Sequence, residues 1–251
     1  MKQLVRSIVL SATYQQTSRV ELARRQRDPQ NRLWSRGARL RLDAEVIRDQ
    51  ALALAGLLGS RVGGKSVHPY HPQGLWKEMS FNPLDFTAQV YVRSNGSDLY
   101  RRSLYTFWKR TVPPPSLAVF DAPNRETCVI QRARTSSPLQ GLVLMNDPTY
   151  VEAARCLADR LLAEAEEDDS VRLALAMRVI LAREITTAEE AVLAGVLKQQ
   201  RELFGEDPQA ARALTEVGES ACRPGTDRVE LAAWTTVVAT IMLTDEAIHK
   251  P

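Results

Sequence analysis

The chain has 251 residues, 44% hydrophobic and 25% charged, with a formal net charge of +3. That balance suits a globular protein with a sizeable core and excludes a chain disordered throughout. No stretch approaches the roughly 18 apolar residues needed to cross a bilayer, and the three cysteines, Cys128, Cys156 and Cys222, form neither a CxxC pair nor a CxxCH haem-attachment motif.

The small net charge conceals an organised one. Residues 1–135 hold 22 Lys and Arg against 10 Asp and Glu, a balance of +12, and residues 136–251 hold 11 against 20, a balance of −9. Such asymmetry fits two lobes that attract each other, or a basic face for an anionic partner. The cysteines are expected to be partly buried free thiols.

The opening MKQLVRSIVLSATYQQ reads as an amphipathic helix with Leu4, Val5, Ile8, Val9 and Ala12 on one face. Its apolar run is short, Arg6 interrupts it, and no small-residue cleavage site follows clearly, so it is not read as a signal peptide. A chain that opens inside such a helix is expected to be part of a longer protein. Residues 1–60 form a basic helical region: two helices around an Arg-rich connection that contains Pro29 and Gly37. Asp43 is placed to cap the second helix, Ala44 to Leu58, and Gly59, Gly63 and Gly64 to end it.

Residues 60–135 are rich in Pro, Gly, Asn, Ser and aromatic residues, and are expected to be an irregular excursion from a mainly α chain. Val90–Val92 and Leu99–Trp108 fit short strands around an Asn95-Gly96 turn. The second run fits a helix equally well, because Leu104, Tyr105 and Trp108 fall at helical spacing. Residues 136–251 form an acidic helical region. Ser137-Pro138, Asp147-Pro148 and Asp207-Pro208 each pair an N-cap residue with proline at the first helical position. Thr186 with Glu189 and Thr187 with Glu190 are alternative capping boxes. Helices are predicted near 138–145, 148–165, 170–182, 187–204, 208–217 and 228–244, with a solvated acidic turn over Glu164–Asp169.

Chemistry-bearing residues concentrate in residues 98–147. Arg101, Arg102, Arg125, Arg132 and Arg134 interleave with Tyr105 and Trp108, and Asp121, Glu126, Asn146 and Asp147 add carboxylates and an amide. One reading is a binding surface: guanidinium groups grip carboxylate, sulfate or phosphate in pairs of hydrogen bonds, and aromatic faces stack on rings. The other is a buttress, in which the same arginines hold irregular backbone to the helices. Asp121, Glu126 and Asp147 are also the candidate acid–base groups of a polysaccharide-active enzyme, which needs two carboxyls facing one cleft. The His68-Pro-Tyr-His71 segment has the look of a metal motif but brings only two ligands, so a loop packed by Tyr70 and Trp76 is the expectation. Gly63-Gly64-Lys65-Ser66 falls short of a phosphate loop, because Gly59 stands one residue too close to Gly64. No GxSxG elbow is present.

The strings RRSLYTFWKRTVPPPSLAVFDAPNRETC and RARTSSPLQGLVLMNDPTYVEAARCLADRLL, with LVRSIVLSATYQQTSR, RLDAEVIRDQALALAGLL and ELAAWTTVVATIMLTDEAI, closely resemble the planctomycete-specific C-terminal domain of unknown function. The resemblance covers essentially the whole chain, so residues 1–251 are expected to be one such domain or a piece of one. Where that family has Arg-Thr-Asn-Thr-Pro, this chain has Arg134, Thr135, Ser136, Ser137 and Pro138, losing an amide. The resemblance implies the C-terminal module of a larger, exported or periplasmic protein, with upstream domains, one of them cytochrome c-like, as partners. Any haem c would then sit in such an upstream domain, with no cofactor in this chain. Three roles follow as expectations: binding of an acidic or carbohydrate ligand or docking of the redox domain, a polysaccharide-active enzyme, or a helical scaffold. The −9 half and the resemblance both argue against nucleic acid as the partner.

Overall fold

The computed structural model describes residues 1–18, 21–80, 89–165 and 168–249. Residues 81–88, which include the end of the Pro- and Asn-rich stretch, and Glu166 and Glu167 of the expected acidic turn lie outside the described residues. The chain is mainly α, and it divides into two compact units: Met1–Leu42 with Asp245–Pro251, and Asp43–Thr244. Among the described residues no helix is long and apolar enough to cross a membrane.

The N-terminal unit contains α1 (Lys2–Val9), α2 (Leu22–Arg27) and, from the end of the chain, a short helix over Asp245–Ile248. The expected amphipathic helix is α1, with no residue buried. An isolated antiparallel bridge joins Arg41 to His249, and the Leu42 amide donates to the Ile248 carbonyl.

In the second unit α3 (Ala44–Leu54) is shorter than the sequence suggested. It ends at Gly56, whose φ of +73° turns the chain so that the Leu57 amide donates to the Leu52 carbonyl and the Gly56 amide to the Ala53 carbonyl. This pair of bonds satisfies the last carbonyls and stops the helix before Gly59 is reached. Asp43 occupies the N-cap position but its side chain makes no cap bond; its carboxylate lies 3.7 Å from Arg132 instead.

The excursion contains α4 (Leu75–Glu78), α5 (Pro115–Ala118) and single 3₁₀ turns at Gly96–Asp98 and Ser103–Tyr105. The Asn95-Gly96 hairpin does not form. Isolated parallel bridges instead join Gly59 to Arg101 and Val67 to Thr106, so the run after Leu99 lies along residues 59–67 rather than folding back on Val90–Val92.

Then follow α6 (Pro138–Asn146), α7 (Pro148–Glu164), α8 (Asp169–Leu181), α9 (Thr187–Glu206), α10 (Pro208–Thr215) and α11 (Arg228–Met242). Their starts follow the sequence signals. Asp147 accepts from the Thr149 amide, and Asp207 from those of Gln209 and Ala210. Ser137 stands at the N-cap of α6 without a side-chain cap bond. The core centres on α7 against α11, with α9 and α10 also packed on α11 and α3 on α7. Buried alanines on both central helices (Ala153, Ala154, Ala158, Ala232, Ala233) let the backbones approach closely, and Trp234 fills the space beside them. Arg201 of α9 donates to both Asp169 of α8 and Glu230 of α11, and Glu230 also accepts from the Trp234 ring, which ties three helices at one point. Of the thiols, Cys156 and Cys222 are half-buried as expected, whereas Cys128 is exposed on the loop before α6.

The capping box at α9 is Thr186 with Glu189, and Arg183 adds two hydrogen bonds to the Glu189 carboxylate at 2.6 and 2.9 Å. Arg183 first, then the Thr186 amide, holds the Glu189 carboxyl down to about 2 from a usual 4.5. A carboxyl depressed in the folded state contributes stability that is present above its unfolded value and lost as pH falls. The group is partly solvated, so the gain is on the order of 1 kcal/mol or less. Thermal melts of the wild type and Glu189→Gln should therefore differ at neutral pH and converge as pH falls from 4.5 toward about 2. A difference that stays constant through that window would show that the carboxylate does not support the cap.

Candidate functional site

A cavity of about 1200 Å³ opens in the second unit between α6 and the segments 70–77 and 89–93. Each wall follows from local sequence. On α6 Leu139, Leu142, Val143 and Asn146 fall at helical spacing, so one face of a short apolar helix lines the cavity. Pro115, Ser116 and Val119 extend that wall. At the α6–α7 junction Asp147 and Pro148 enter, fixed by the cap that starts α7.

The opposite wall is aromatic. His71 stacks on Tyr91 at 4.5 Å between centroids, Trp76 meets Tyr91 edge-on at 5.0 Å, and His68 stacks on Phe107 at 4.7 Å. Trp76 also approaches both imidazoles and Phe107, so the HxxH segment is a packed aromatic loop. Among the described residues no group of three or more His, Cys, Asp or Glu gathers to hold a metal ion. Two buried ring nitrogens of these residues, Nε1 of Trp76 and Nε2 of His71, have no hydrogen-bond partner among the described residues. Buried polar atoms without partners are rare in folded proteins and carry a cost.

The charges are uneven. Lys77 and Arg93 line the cavity, and Lys109 lies over the Trp76 ring at 4.4 Å. Arg93 also reaches Glu219 at 3.2 Å. Asp147 is the one carboxylate among the described lining residues. Burial pushes its carboxyl above the usual range, against the pull of the Thr149 amide and the nearby charges of Arg48 and His71. Tyr70 brings its hydroxyl to Glu152 at 2.9 Å, and burial with that negative charge raises the phenol's pKa.

The structure does not gather the sequence candidates into one place. Asn146 and Asp147 line the cavity. Arg101 is buried and clamps backbone, donating to the carbonyls of Gly63 and Lys65 at 2.5 and 2.8 Å while its guanidinium lies 3.8 Å from the Tyr105 ring centroid. The Tyr105 hydroxyl in turn accepts from the Gly63 amide. Arg102 faces Asp49 at 3.6 Å. Arg132 grips Glu45 of α3 with two bonds at 2.6 and 3.1 Å. Arg125 lies over Trp108 at 4.6 Å, and Trp108 donates to the Asn124 carbonyl. Asp121 accepts from the Thr135 amide and hydroxyl. Glu126 and Arg134 are exposed. Of the three acid–base candidates only Asp147 reaches the cavity.

Residues 1–197 match the protein family described as Protein of unknown function (DUF1553). The chain belongs to this family. No curated protein and no solved structure matches it. The DUF1553 match spans the excursion, both cavity walls and the helices through about the first half of α9, so the cavity lies wholly inside the family domain. The sequence singled out Tyr70 and Trp76 as loop packing; what it did not show is that Tyr91 and α6 close with them around a cavity.

Proposed function

We propose that the chain is a ligand-binding module and that its cavity takes a carbohydrate-like ligand bearing an acidic group. One observation carries the reading: an aromatic wall of His71, Trp76 and Tyr91 carries Lys77 and Arg93 on its own side of a cavity with a single described carboxylate. The C–H faces of a sugar ring stack on aromatic rings, and an acid group meets Lys77 and Arg93. The resemblance to C-terminal domains that follow a cytochrome c-like domain supports placing the module in an exported, multi-domain protein.

A second reading concerns residues 98–135 alone. Arg48, Arg101 and Arg132 spend their donors on backbone carbonyls and Glu45, and that favours a scaffold role for this segment.

Calorimetric titration with uronate-bearing, sulfated and neutral oligosaccharides tests the cavity. Leu142 lines it yet is 55% exposed. Leu142→Glu, which sets a carboxylate against the ligand's acid group, should therefore leave the melting temperature unchanged while weakening binding at least about tenfold, or 1.4 kcal/mol. Equal affinity in the variant, or no binding across the panel by the wild type, would remove the proposed site.

A further inference from the structure

The N-terminal unit carries 11 Lys and Arg against 4 Asp and Glu over residues 1–42 and 245–251. It also leaves large apolar side chains in solvent. On α1 Leu4, Val5 and Ile8 are about half-exposed or more, and a shallow groove of about 470 Å³ runs along Met1, Val5, Val9 and Leu10 beside Lys2 and Arg6. Leu22 at the start of α2 is exposed beside Arg24, Arg25 and Arg27.

The loop after α2 is built to hold a further pair outward. Asp28 is buried and accepts from the Arg32 and Leu33 amides, both at 2.8 Å. The Arg36 guanidinium donates to the Asp28 and Pro29 carbonyls, and Asn31 closes on Arg36 from both ends of its amide. Asn31 and Trp34 both sit at a φ of +52°. A tryptophan adopts that backbone only under constraint. The product is a closed loop with Leu33 and Trp34 71% and 69% exposed at its tip, between Arg32 and Arg36.

We propose that this unit docks on an anionic lipid surface, with Trp34, Leu33 and the apolar face of α1 entering the headgroup boundary and the surrounding arginines meeting lipid phosphates. Basic residues beside exposed Leu and Trp are the signature of segments that lie in a bilayer interface. Charge complementarity selects an anionic occupant. The apolar tip selects lipid over nucleic acid, whose phosphates need no Leu or Trp.

Vesicle co-sedimentation of the full chain decides it. Phosphatidylcholine vesicles should leave the protein in solution. Vesicles with an equal part of phosphatidylglycerol should pellet it, less so as salt rises. Leu33→Ser with Trp34→Ser should cut the bound fraction at low protein about tenfold. Arg25→Ser with Arg27→Ser should weaken binding and flatten its salt dependence. All four side chains are exposed, so unchanged melting curves confirm folded variants. No sedimentation with either vesicle, equal sedimentation with both, or an unaffected Leu33/Trp34 variant overturns the proposal. So does concentration-dependent self-association that those same substitutions abolish, because a second copy would then cover this face.

Discussion

Glu152→Ala is expected to lower the unfolding free energy by about 4 kcal/mol, a large part of the 5–15 kcal/mol typical of a domain. Glu152 lies on α7 with no exposed surface. Its Oε1 accepts from the Tyr100 hydroxyl at 2.7 Å and from the amides of Glu219 and Ser220 at 2.8 and 2.6 Å, and its Oε2 accepts from the Tyr70 hydroxyl. Alanine leaves four donors facing a void. The hydroxyls can turn to new acceptors; the two amides are fixed by the backbone and carry most of the cost. Glu152→Gln separates charge from shape. With its oxygen toward the amides and its nitrogen toward Tyr70, whose hydroxyl can accept, glutamine should cost only about 1–2 kcal/mol.

Gly218 supplies an independent check on the same point. It has a φ of +93°, and a Cβ there would lie 2.2 Å from the Glu152 carboxyl carbon. Gly218→Ala must therefore displace the carboxylate as well as strain the turn. In the Glu152→Ala background the clash is gone, so the double variant should cost clearly less than the sum of the singles. Denaturant unfolding measures all four chains. A Glu152→Ala chain within about 1 kcal/mol of the wild type, or strict additivity with Gly218→Ala, would show that this cluster does not anchor the 218–220 turn.

The helical half was legible because its signals are local. Asp147, Thr186 and Asp207 sit a few residues from the amides they cap, and proline marks two of the three helix starts. α3 ends sooner than its apolar pattern suggests, because Leu57 and Leu58 continue that pattern while the positive φ at Gly56 breaks it. The course of Leu99–Trp108 was not legible, since its partners at Gly59 and Val67 lie far back in the chain and a one-sided propensity pattern does not record which strand is opposite. The site shows the same division. Arginine and aromatic residues crowd positions 98–147, yet Arg101 takes its acceptors from carbonyls of residues 61–65 and Arg132 from Glu45. A guanidinium that serves a ligand and one that serves backbone read alike in sequence. Asn146 and Asp147 reach the cavity because the turn between α6 and α7 puts them there. Trp76, Tyr91 and α6 come together only through the packing of segments distant in the chain.

Arg48 tests the buttress directly. It lies on α3, 3% exposed, and donates to the Leu99 carbonyl at 2.7 Å and the Arg101 carbonyl at 3.0 Å, with Ser103 Oγ at 3.2 Å. Burial lowers its pKa, opposed by the charges of Asp49 and Asp147. Two effects compete in Arg48→Met. Removing a buried charge relieves desolvation, and where both members of a pair are replaced that relief often prevails. Here the partners are main-chain carbonyls that no substitution removes, so unpaired acceptors dominate and a net loss of about 3 kcal/mol is expected. Arg48→Lys, with one ammonium in place of a fork, reaches at most part of the set and should recover less than half. Hydrogen exchange locates the damage. The amides of Gly59, Val67 and Phe107, which pair with Tyr100, Tyr105 and Val67, should exchange much faster in Arg48→Met while those inside α7 and α11 change only with global stability. Uniform acceleration across all of them would mean that Arg48 supports the core at large; selective loss at 59–67 would show that one buried guanidinium holds the excursion in place against the helices that carry the cavity.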